Sequence, residues 1–267
     1  MLLVNAAASR AAELSDSVFL TFFDVGQGDA LLIHQPNRCA VLIDTGAPGS
    51  GQNIGAFLAK KGISRLDRLI ISHPHDDHFA GTLSLPPDLT IAQVNDNGVT
   101  NSREKSFQAY QNWRARHLYH PLKKGDVWRC GQIIFTVLGP DQARLTTGNI
   151  NDTSLVLRVE AGPVSLLLPG DIEATGWQSL NASAEQLASD IFKVPHHGAQ
   201  DRYLDNWLKV INPELSVVSV GSDNHIGAPD RNTLEAIRQE SGRIWRTDQQ
   251  GDLEIRIDRQ GWHYVNP

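Results

Sequence analysis

The chain has 267 residues, of which 40% are apolar and 20% are charged, and its formal net charge is −6. This length and composition exclude disordered and fibrous classes and allow one large hydrophobic core or two small ones. The negative charge disfavours broad, non-specific binding of nucleic acid through many phosphate contacts. Two bound divalent ions would add about four positive charges locally, so a phosphate substrate at a metal site stays compatible with it.

The apolar runs, the amino terminus and the two cysteines indicate in which cellular compartment the chain could work. No run approaches the roughly 20 apolar residues that cross a bilayer, and the amino terminus lacks the basic segment of a signal sequence. We therefore expect a soluble chain as given, unless it was cut from a larger protein. Residues 1–17 are interpreted as a leader or the stub of an upstream segment, followed by one domain over 18–267. Cys39 and Cys130 are compatible with one disulfide and equally with two buried thiols.

The first half of the chain alternates predicted strands with predicted helices. Three β-branched or aromatic runs predict an opening meander, and the strands of this half are expected over 18–23, 30–34, 39–44, 67–72 and 90–95. One helix is predicted over 54–61, with Asn53 as its N-cap. The spacing of aromatic residues predicts a second helix over 103–117, whose basic residues are candidates for contact with a phosphate backbone: Arg103, Lys105, Arg114 and Arg116.

The second half repeats this plan. Strands are predicted over 133–138, 154–159, 164–168, 191–194 and 215–220, and helices over 174–180, 202–211 and 231–240. Two closing strands, over 252–257 and 262–265, are expected to be edge strands. The alternation of strand and helix predicts one α/β layered domain made of two similar halves.

Three histidines and two carboxylates lie within six residues, from His73 to His78, directly after a predicted strand. Such crowding is unfavourable unless a divalent ion compensates it, although a solvated polar loop is the alternative interpretation. The pattern divides into two ligand sets. We expect His73 and His75 to bind one ion, and Asp77 and His78 to bind a second.

Further polar residues follow other strands, where ligands gather in layered α/β folds. Asp171 is expected to bridge both ions through its two oxygens. His197 is assigned to the second ion and His196 to the substrate, as donor to an anionic oxygen, although the reverse order also fits. Asp44 is expected to orient a metal-bound histidine or to cap a turn. Asp29 is expected either in the site or in a structural turn.

Five motifs together resemble the metallo-β-lactamase superfamily and, within it, the hydrolase domain of ComEC-type DNA-uptake competence proteins. They lie at 24–30, 43–46, 73–78, 168–173 and 193–198. The resemblance covers nearly all of the chain from residue 18 and implies an αββα four-layer sandwich with two metal ions at one edge of two packed sheets.

Two departures from the family accompany this resemblance. Many members place a further histidine ligand ahead of the bridging aspartate, where this chain has Asn151-Asp152-Thr153-Ser154. The alternative interpretation of this segment is a simple turn. The His73/His75 ion is then one ligand short. Late in the chain, Ala228 stands where the group often has histidine, so that side chain is missing unless nearby His225, otherwise interpreted as a structural or solvated loop residue, substitutes for it.

The sequence and the resemblance together predict a phosphodiesterase with two divalent ions, Zn²⁺ or Mn²⁺, that acts as a DNA nuclease linked to DNA uptake. A hydroxide held between the ions would attack phosphorus, and His196 would stabilise or protonate the leaving oxygen. Asp77, His196, Asp29 and Asp44 are the residues expected to act in catalysis. The alternatives are hydrolysis of a small phosphodiester of the phosphorylcholine type, hydrolysis of another ester or a lactam, and a non-catalytic DNA-docking module.

The expected partners are DNA and, if the chain was cut from a competence protein, the membrane channel portion of that protein. No nucleotide cofactor is expected. The resemblance places such a domain in the periplasm or on the extracytoplasmic face of the inner membrane, and otherwise in the cytoplasm.

Overall fold

The computed structural model describes residues 16–146, 148–180 and 182–265. The predicted leader over residues 1–17 lies outside the described residues except for its last two positions. The strands are β1 (Val18–Phe22), β2 (Leu31–Gln35), β3 (Cys39–Ile43), β4 (Arg65–Leu66), β5 (Arg68–Ile70), β6 (Thr90–Ile91), β7 (Val94–Asn95), β8 (Val127–Cys130), β9 (Ile133–Gly139), β10 (Val156–Ala161), β11 (Val164–Leu168), β12 (Ile191–Lys193), β13 (Leu215–Val218), β14 (Arg243–Arg246), β15 (Leu253–Asp258) and β16 (Gly261–Tyr264).

The helices cover the sheets and connect the strands. They are α1 (Ser50–Lys60), α2 (Asp76–Phe79), α3 (Phe107–Arg114), α4 (Ala174–Ser179), α5 (Ala184–Leu187), α6 (Leu204–Ile211), α7 (Arg231–Glu240) and α8 (Thr247–Gln250). Short 3-10 turns occupy Ala80–Ser84, Gln142–Thr146, Asn151–Thr153 and Pro195–Gly198.

Two seven-stranded sheets form the centre of the fold, in the orders β16-β15-β1-β2-β3-β5-β7 and β14-β13-β12-β11-β10-β9-β8. The predicted opening meander is confirmed, because β1, β2 and β3 pair antiparallel in sequence order. In each sheet the strands that precede the predicted site residues run parallel, since β3 pairs with β5 and β11 pairs with β12. The two similar halves correspond to the two sheets, except that the final hairpin returns to the first sheet beside β1.

Three apolar layers hold four structural layers together. Successive side chains of a strand point to opposite faces, so Val41 of β3 packs between the sheets while Leu42 packs under α1. Helices α1 and α3 cover the outer face of the first sheet, and α4, α6 and α7 cover that of the second. This arrangement confirms the predicted αββα sandwich.

The start of the first helix was predicted wrongly. Helix α1 begins at Ser50 after Gly49, so Asn53 lies within the helix and is not its N-cap. Gly51, in the first turn of α1, allows close packing. A Cβ atom on Gly51 would lie 2.1 Å from the carbonyl oxygen of Gly81, which shows how near the helix approaches the segment after the histidine motif.

The predicted helix over 103–117 is shorter, and α3 spans only Phe107–Arg114. Side-chain hydrogen bonds tie the preceding residues to the histidine motif and compete with helix formation. Ser102 Oγ donates to the carbonyl oxygen of Pro74 at 2.9 Å, and Ser106 Oγ donates to Asp76 Oδ1.

Two predictions about strands were also wrong. The expected strand over 90–95 is divided between β6, which pairs with β4, and β7, which pairs with β5, because the chain changes partner between them. Strand β15 lies inside the first sheet between β1 and β16, so only β16 of the closing pair is an edge strand.

Cys39 and Cys130 form a disulfide that joins β3 of the first sheet to β8 of the second. Of the two possibilities that the sequence left open, the structure therefore has the bridge. Cys39 is the first residue of β3, whereas Asp44 follows its last residue. The disulfide thus lies at the opposite end of this strand from the predicted site.

Candidate metal centre

One carboxylate oxygen lies at the centre of the predicted site. Asp171 Oδ2 is 3.1 Å from His78 Nε2, 3.2 Å from His197 Nε2 and 3.9 Å from His73 Nε2. All four side chains are buried. Asp171 and His197 come from the second sheet and the other two histidines from the first, so the cluster forms only where the sheets meet.

Each of the three imidazoles uses its Nδ1 atom elsewhere, which directs Nε2 towards Asp171. His78 Nδ1 donates to Asp44 Oδ2 at 2.9 Å, and His197 Nδ1 donates to the carbonyl oxygen of Ser219 at 3.0 Å. His73 Nδ1 lies 3.0 Å from Ser72 Oγ. Since this hydroxyl donates its proton to Asp44 Oδ2 at 2.7 Å, it is left to accept from His73.

The two remaining predicted ligands, His75 and Asp77, border this cluster, and the expected division into two ligand sets stays a prediction because the ligand atoms of His78 also group with those of His73 and Asp171. His75 Nδ1 lies 3.0 Å from His73 Nε2. Asp77 Oδ2 lies 3.2 Å from His197 Nε2, and Asp77, His78 and His197 form one group of potential ligand atoms. Asp77 and His78 lie in the short helix α2 and not in a loop.

Asp44 occupies the supporting position that was predicted for it. Besides His78, it accepts hydrogen bonds from the backbone nitrogen and the hydroxyl of Ser72, both at 2.7 Å. Its backbone is left-handed, with φ of 56°, which is uncommon outside glycine. Asp44 therefore holds two of the three converging histidines, one directly and one through Ser72.

Lys193 is a member of the site that sequence analysis missed. Its ammonium group is buried, forms an ion pair with Asp29 Oδ2 and lies 3.4 Å from Asp171 Oδ1. One oxygen of Asp171 therefore faces the histidines and the other faces Lys193, and the bridge through both oxygens stays a prediction. The available signal was a single charged residue inside the apolar run of β12.

Asp29 lies in the site, the first of the two alternatives for this residue. Its Oδ1 atom is 3.4 Å from His197 Nδ1, and its backbone nitrogen donates to the carbonyl oxygen of Asp77 at 3.2 Å. Gly28 makes this approach possible. It has φ of 132°, and a Cβ atom there would lie 2.1 Å from the same carbonyl oxygen.

A backbone reversal separates the two adjacent histidines after β12. Both His196 and His197 are left-handed, with φ of 49° and 56°, and their ring planes differ by 63°. His197 points into the buried cluster, whereas the side chain of His196 is 29% exposed and lies 3.5 Å from Glu173 Oε1. The predicted roles, His197 as ligand and His196 towards the substrate, stay a prediction that starts from this difference in burial.

The charges of the cluster are mutually dependent. Burial by itself lowers the pKa of His78, but Asp171, Asp44 and Asp77 outweigh it and raise that pKa well above the ordinary value. Burial opposes protonation of His197 as well, yet Asp171 and Asp29 raise its pKa well above normal. For His73, burial and the neighbouring His78 lower the pKa well below its usual range. A metal ion bound to His78 and His197 would therefore displace protons.

The donor atoms present fit a pair of divalent ions. Imidazole nitrogens and carboxylate oxygens are the ligands of zinc and related ions. Among the described residues, His197 Nε2 lies 3.2 Å from oxygens of Asp171 and Asp77, yet neither contact has the geometry of a hydrogen bond. Buried polar atoms are rarely unpaired, and a bound cation at the cluster would satisfy the imidazole nitrogen directly.

Open space borders the cluster on two sides. A cleft of ≈ 1030 Å³ runs past His75 between the segments 98–104 and 142–146 and includes Arg103. A smaller one of ≈ 280 Å³ lies beside His196 and includes Arg202 and Tyr203. The partly exposed histidines of the site thus face solvent-accessible space large enough for an extended ligand.

Some predicted residues are not brought to the site. Arg114 pairs with Asp96 Oδ2 and stacks over the ring of Tyr119 at 4.1 Å, so its charge is already compensated. Arg114 is therefore not available to contact a phosphate backbone. Of the four basic residues predicted for that contact, only Arg103 borders the cleft. His225 lies exposed on the surface.

The fold and the site define a class of protein. Residues 23–222 match the model of the metallo-beta-lactamase superfamily, and the chain belongs to this superfamily. Its members are generally metal-dependent hydrolases.

The resemblance to ComEC-type competence proteins is also confirmed. The chain is similar to ComE operon protein 3 of Bacillus subtilis (strain 168), at 29% identity over 95% of this chain and 35% of that protein. It is similar to competence protein ComA of Neisseria gonorrhoeae, at 29% identity over 91% of this chain and 33% of that protein. The chain therefore spans about a third of the length of these relatives.

A solved structure supports the fold. Igni18, a novel metallo hydrolase from Ignicoccus hospitalis KIN4/I, superposes with a TM-score of 0.60 at 13% identity, covering 89% of this chain and 98% of that one. Within the part of the chain that the structure describes, no helix has the length and apolar character needed to cross a membrane.

Proposed function

We propose that this chain is a phosphodiesterase with a binuclear metal centre and that it cleaves DNA. The observation that carries the proposal is the position of Asp171 Oδ2 within 4 Å of three imidazole Nε2 atoms, whose Nδ1 atoms are all engaged elsewhere. A carboxylate shared in this way suits two ions held side by side, with His73 and His75 on one and Asp77, His78 and His197 on the other.

Two divalent ions, Zn²⁺ or Mn²⁺, would supply the nucleophile at neutral pH, since coordination lowers the pKa of water from about 15.7 to about 7, and would neutralise phosphate charge. The protein's own residues orient the substrate and the ligands. Asp44 and the carbonyl oxygen of Ser219 fix the histidine rings. His196 borders the cluster with part of its ring exposed, and its proposed task is to donate a hydrogen bond to the leaving oxygen.

DNA is proposed as the substrate for two reasons. The space beside His75 is an open cleft lined by Arg103, and the space beside His196 is lined by Arg202, so each offers a cation to a phosphate. In addition, the relatives include competence protein ComA. A membrane channel portion, as in ComEC-type proteins, is the proposed physical partner, and an extracytoplasmic face is the proposed location.

The test is competition between labelled DNA and a small chromogenic phosphodiester, with Mn²⁺ or Zn²⁺ added to metal-free protein. We expect DNA to be cleaved in preference, and we expect Asp171→Ala to abolish cleavage while circular dichroism shows a folded chain. Full activity of the Asp171→Ala protein would refute the mechanism. Preference for the small ester would refute DNA as the substrate, and tight DNA binding without cleavage under either ion would favour a docking module.

A further inference from the structure

The amide side chain of Asn151 has an orientation that its neighbours determine. Its Nδ2 atom donates to Glu173 Oε1 at 2.7 Å and lies 3.4 Å from His196 Nε2. An ionised carboxylate only accepts hydrogen bonds, so the nitrogen of the amide must face Glu173. Oδ1 therefore points away from that carboxylate.

This oxygen has no partner among the described residues, although the side chain is more than nine-tenths buried. A buried carbonyl oxygen without a donor is unfavourable unless a ligand or an ion satisfies it. The other side chains of the turn are already engaged. Asp152 Oδ1 accepts from the backbone nitrogens of Glu173 and Gly176 at 2.9 Å, and Thr153 Oγ1 donates to the carbonyl oxygen of Ile150.

The turn that carries Asn151 is fixed against both sides of the metal centre. Ser154 Oγ accepts from the backbone nitrogen of Asp171 at 3.1 Å, and the backbone nitrogen of Leu155 donates to the carbonyl oxygen of Ser72, next to His73, at 2.9 Å. Ile150 borders the same cleft as His75. Asn151 thus lies on a turn that contacts Asp171 and Ser72, and its Nδ2 atom lies beside His196.

Building on the binuclear centre of the proposed function, we propose that Asn151 is a ligand of the ion held by His73 and His75 and supplies Oδ1 as a neutral oxygen donor. With Asp171, this ion then has two nitrogen and two oxygen ligands, which completes a four-coordinate set. Glu173 holds the amide so that the oxygen is presented to the ion. Carbonyl oxygens are suitable ligands for divalent cations of this kind.

Calorimetric titration of the metal-free full chain, in separate experiments with Mn²⁺ and Zn²⁺, tests the proposal. We expect the wild-type protein to bind two ions. Asn151→Ala should leave one site unchanged and weaken the other by at least about tenfold, since even residues behind the ligands affect metal affinity by about 10- to 100-fold.

The matched control is Asn53→Ala. Asn53 is an exposed residue of α1 that takes no part in the hydrogen bonds of the metal centre, so metal affinity should not change. The visible spectrum of the Co²⁺-loaded protein provides a second readout, because loss of a ligand alters the bands in Asn151→Ala and not in the control. Wild-type affinity for both ions in Asn151→Ala would overturn the ligand assignment alone. A wild-type protein that binds no ion would overturn the binuclear centre as well.

Discussion

Replacing Lys193 by methionine removes a buried positive charge beside two buried carboxylates, which in turn raise the pKa of its ammonium group against the effect of burial. Lys193 pairs with Asp29 and lies 3.4 Å from Asp171 Oδ1, and all three side chains are buried. Methionine keeps most of the side-chain volume but no charge. Removing one partner of a buried ion pair costs about 3–5 kcal/mol, because the other charge is left uncompensated in the interior. We therefore expect the metal-free Lys193→Met protein to lose about that much free energy of unfolding.

Urea denaturation of the metal-free proteins measures this loss, and Lys61→Met is the matched control. Lys61 pairs with Glu254 at 2.6 Å on the surface, with 32% of its side chain exposed. Exposed pairs contribute only about 0–1 kcal/mol, so this variant should unfold almost like the wild type.

Added Mn²⁺ distinguishes a charge effect from a packing effect. An ion that binds only the folded state at a hundred times its Kd stabilises it by about 2.7 kcal/mol. In Lys193→Met, the bound ion also supplies the positive charge that Asp171 lost. The difference in free energy of unfolding between this variant and the wild type should therefore decrease. The assigned role of Lys193 would be wrong if Lys193→Met and Lys61→Met were equally stable without metal. It would also be wrong if Mn²⁺ left the difference in stability between Lys193→Met and the wild type unchanged.

Three further predictions concern His34, Asp44 and the disulfide. Burial, followed by the charge of Lys61, lowers the pKa of His34 from 6.5 to about 4. The free energy of unfolding should therefore be highest above pH 6.5 and should fall by about 3 kcal/mol as the pH decreases towards 4. In urea denaturation, this pH dependence should be weaker for His34→Gln, and an unchanged pH dependence would contradict the assignment. Asp44→Asn should weaken metal binding by about 10- to 100-fold in calorimetry, whereas wild-type affinity would show that His78 needs no support. Converting both Cys39 and Cys130 to alanine should cost about 2–4 kcal/mol in urea denaturation without changing metal affinity, and a loss of metal binding would show that the bridge reaches the site.

The sequence was sufficient to predict which histidines and aspartates converge. Asp44, His73, Asp171 and His197 each follow a strand or a turn at its end, and parallel strands bring such ends to one edge of a sheet. The close spacing of the histidines and aspartates in residues 73–78 can be seen in the sequence without knowledge of the fold. The motifs at strand ends also carry the family resemblance, which implied the sandwich that the structure confirms.

What the sequence did not predict depends on contacts between distant segments. Lys193 is unusual only because it is buried against Asp29 from the other sheet. The start of α1 depends on the approach of Gly51 to Gly81. Helix α3 is shortened by hydrogen bonds to the histidine motif, such as that from Ser102. None of these contacts has a local signature, so propensity and spacing could not reveal them.

The central claim is that two divalent ions in this cluster cleave a phosphodiester of DNA. The most direct measurement is metal analysis of the purified chain combined with cleavage of labelled DNA across a series of divalent ions. We predict two ions per chain, no cleavage after chelation, recovery with Mn²⁺ or Zn²⁺, and neither full loading nor cleavage in Asp171→Ala. DNA cleavage that persists in the chelated protein, or a fully loaded protein that cleaves no DNA with any ion, would contradict the claim.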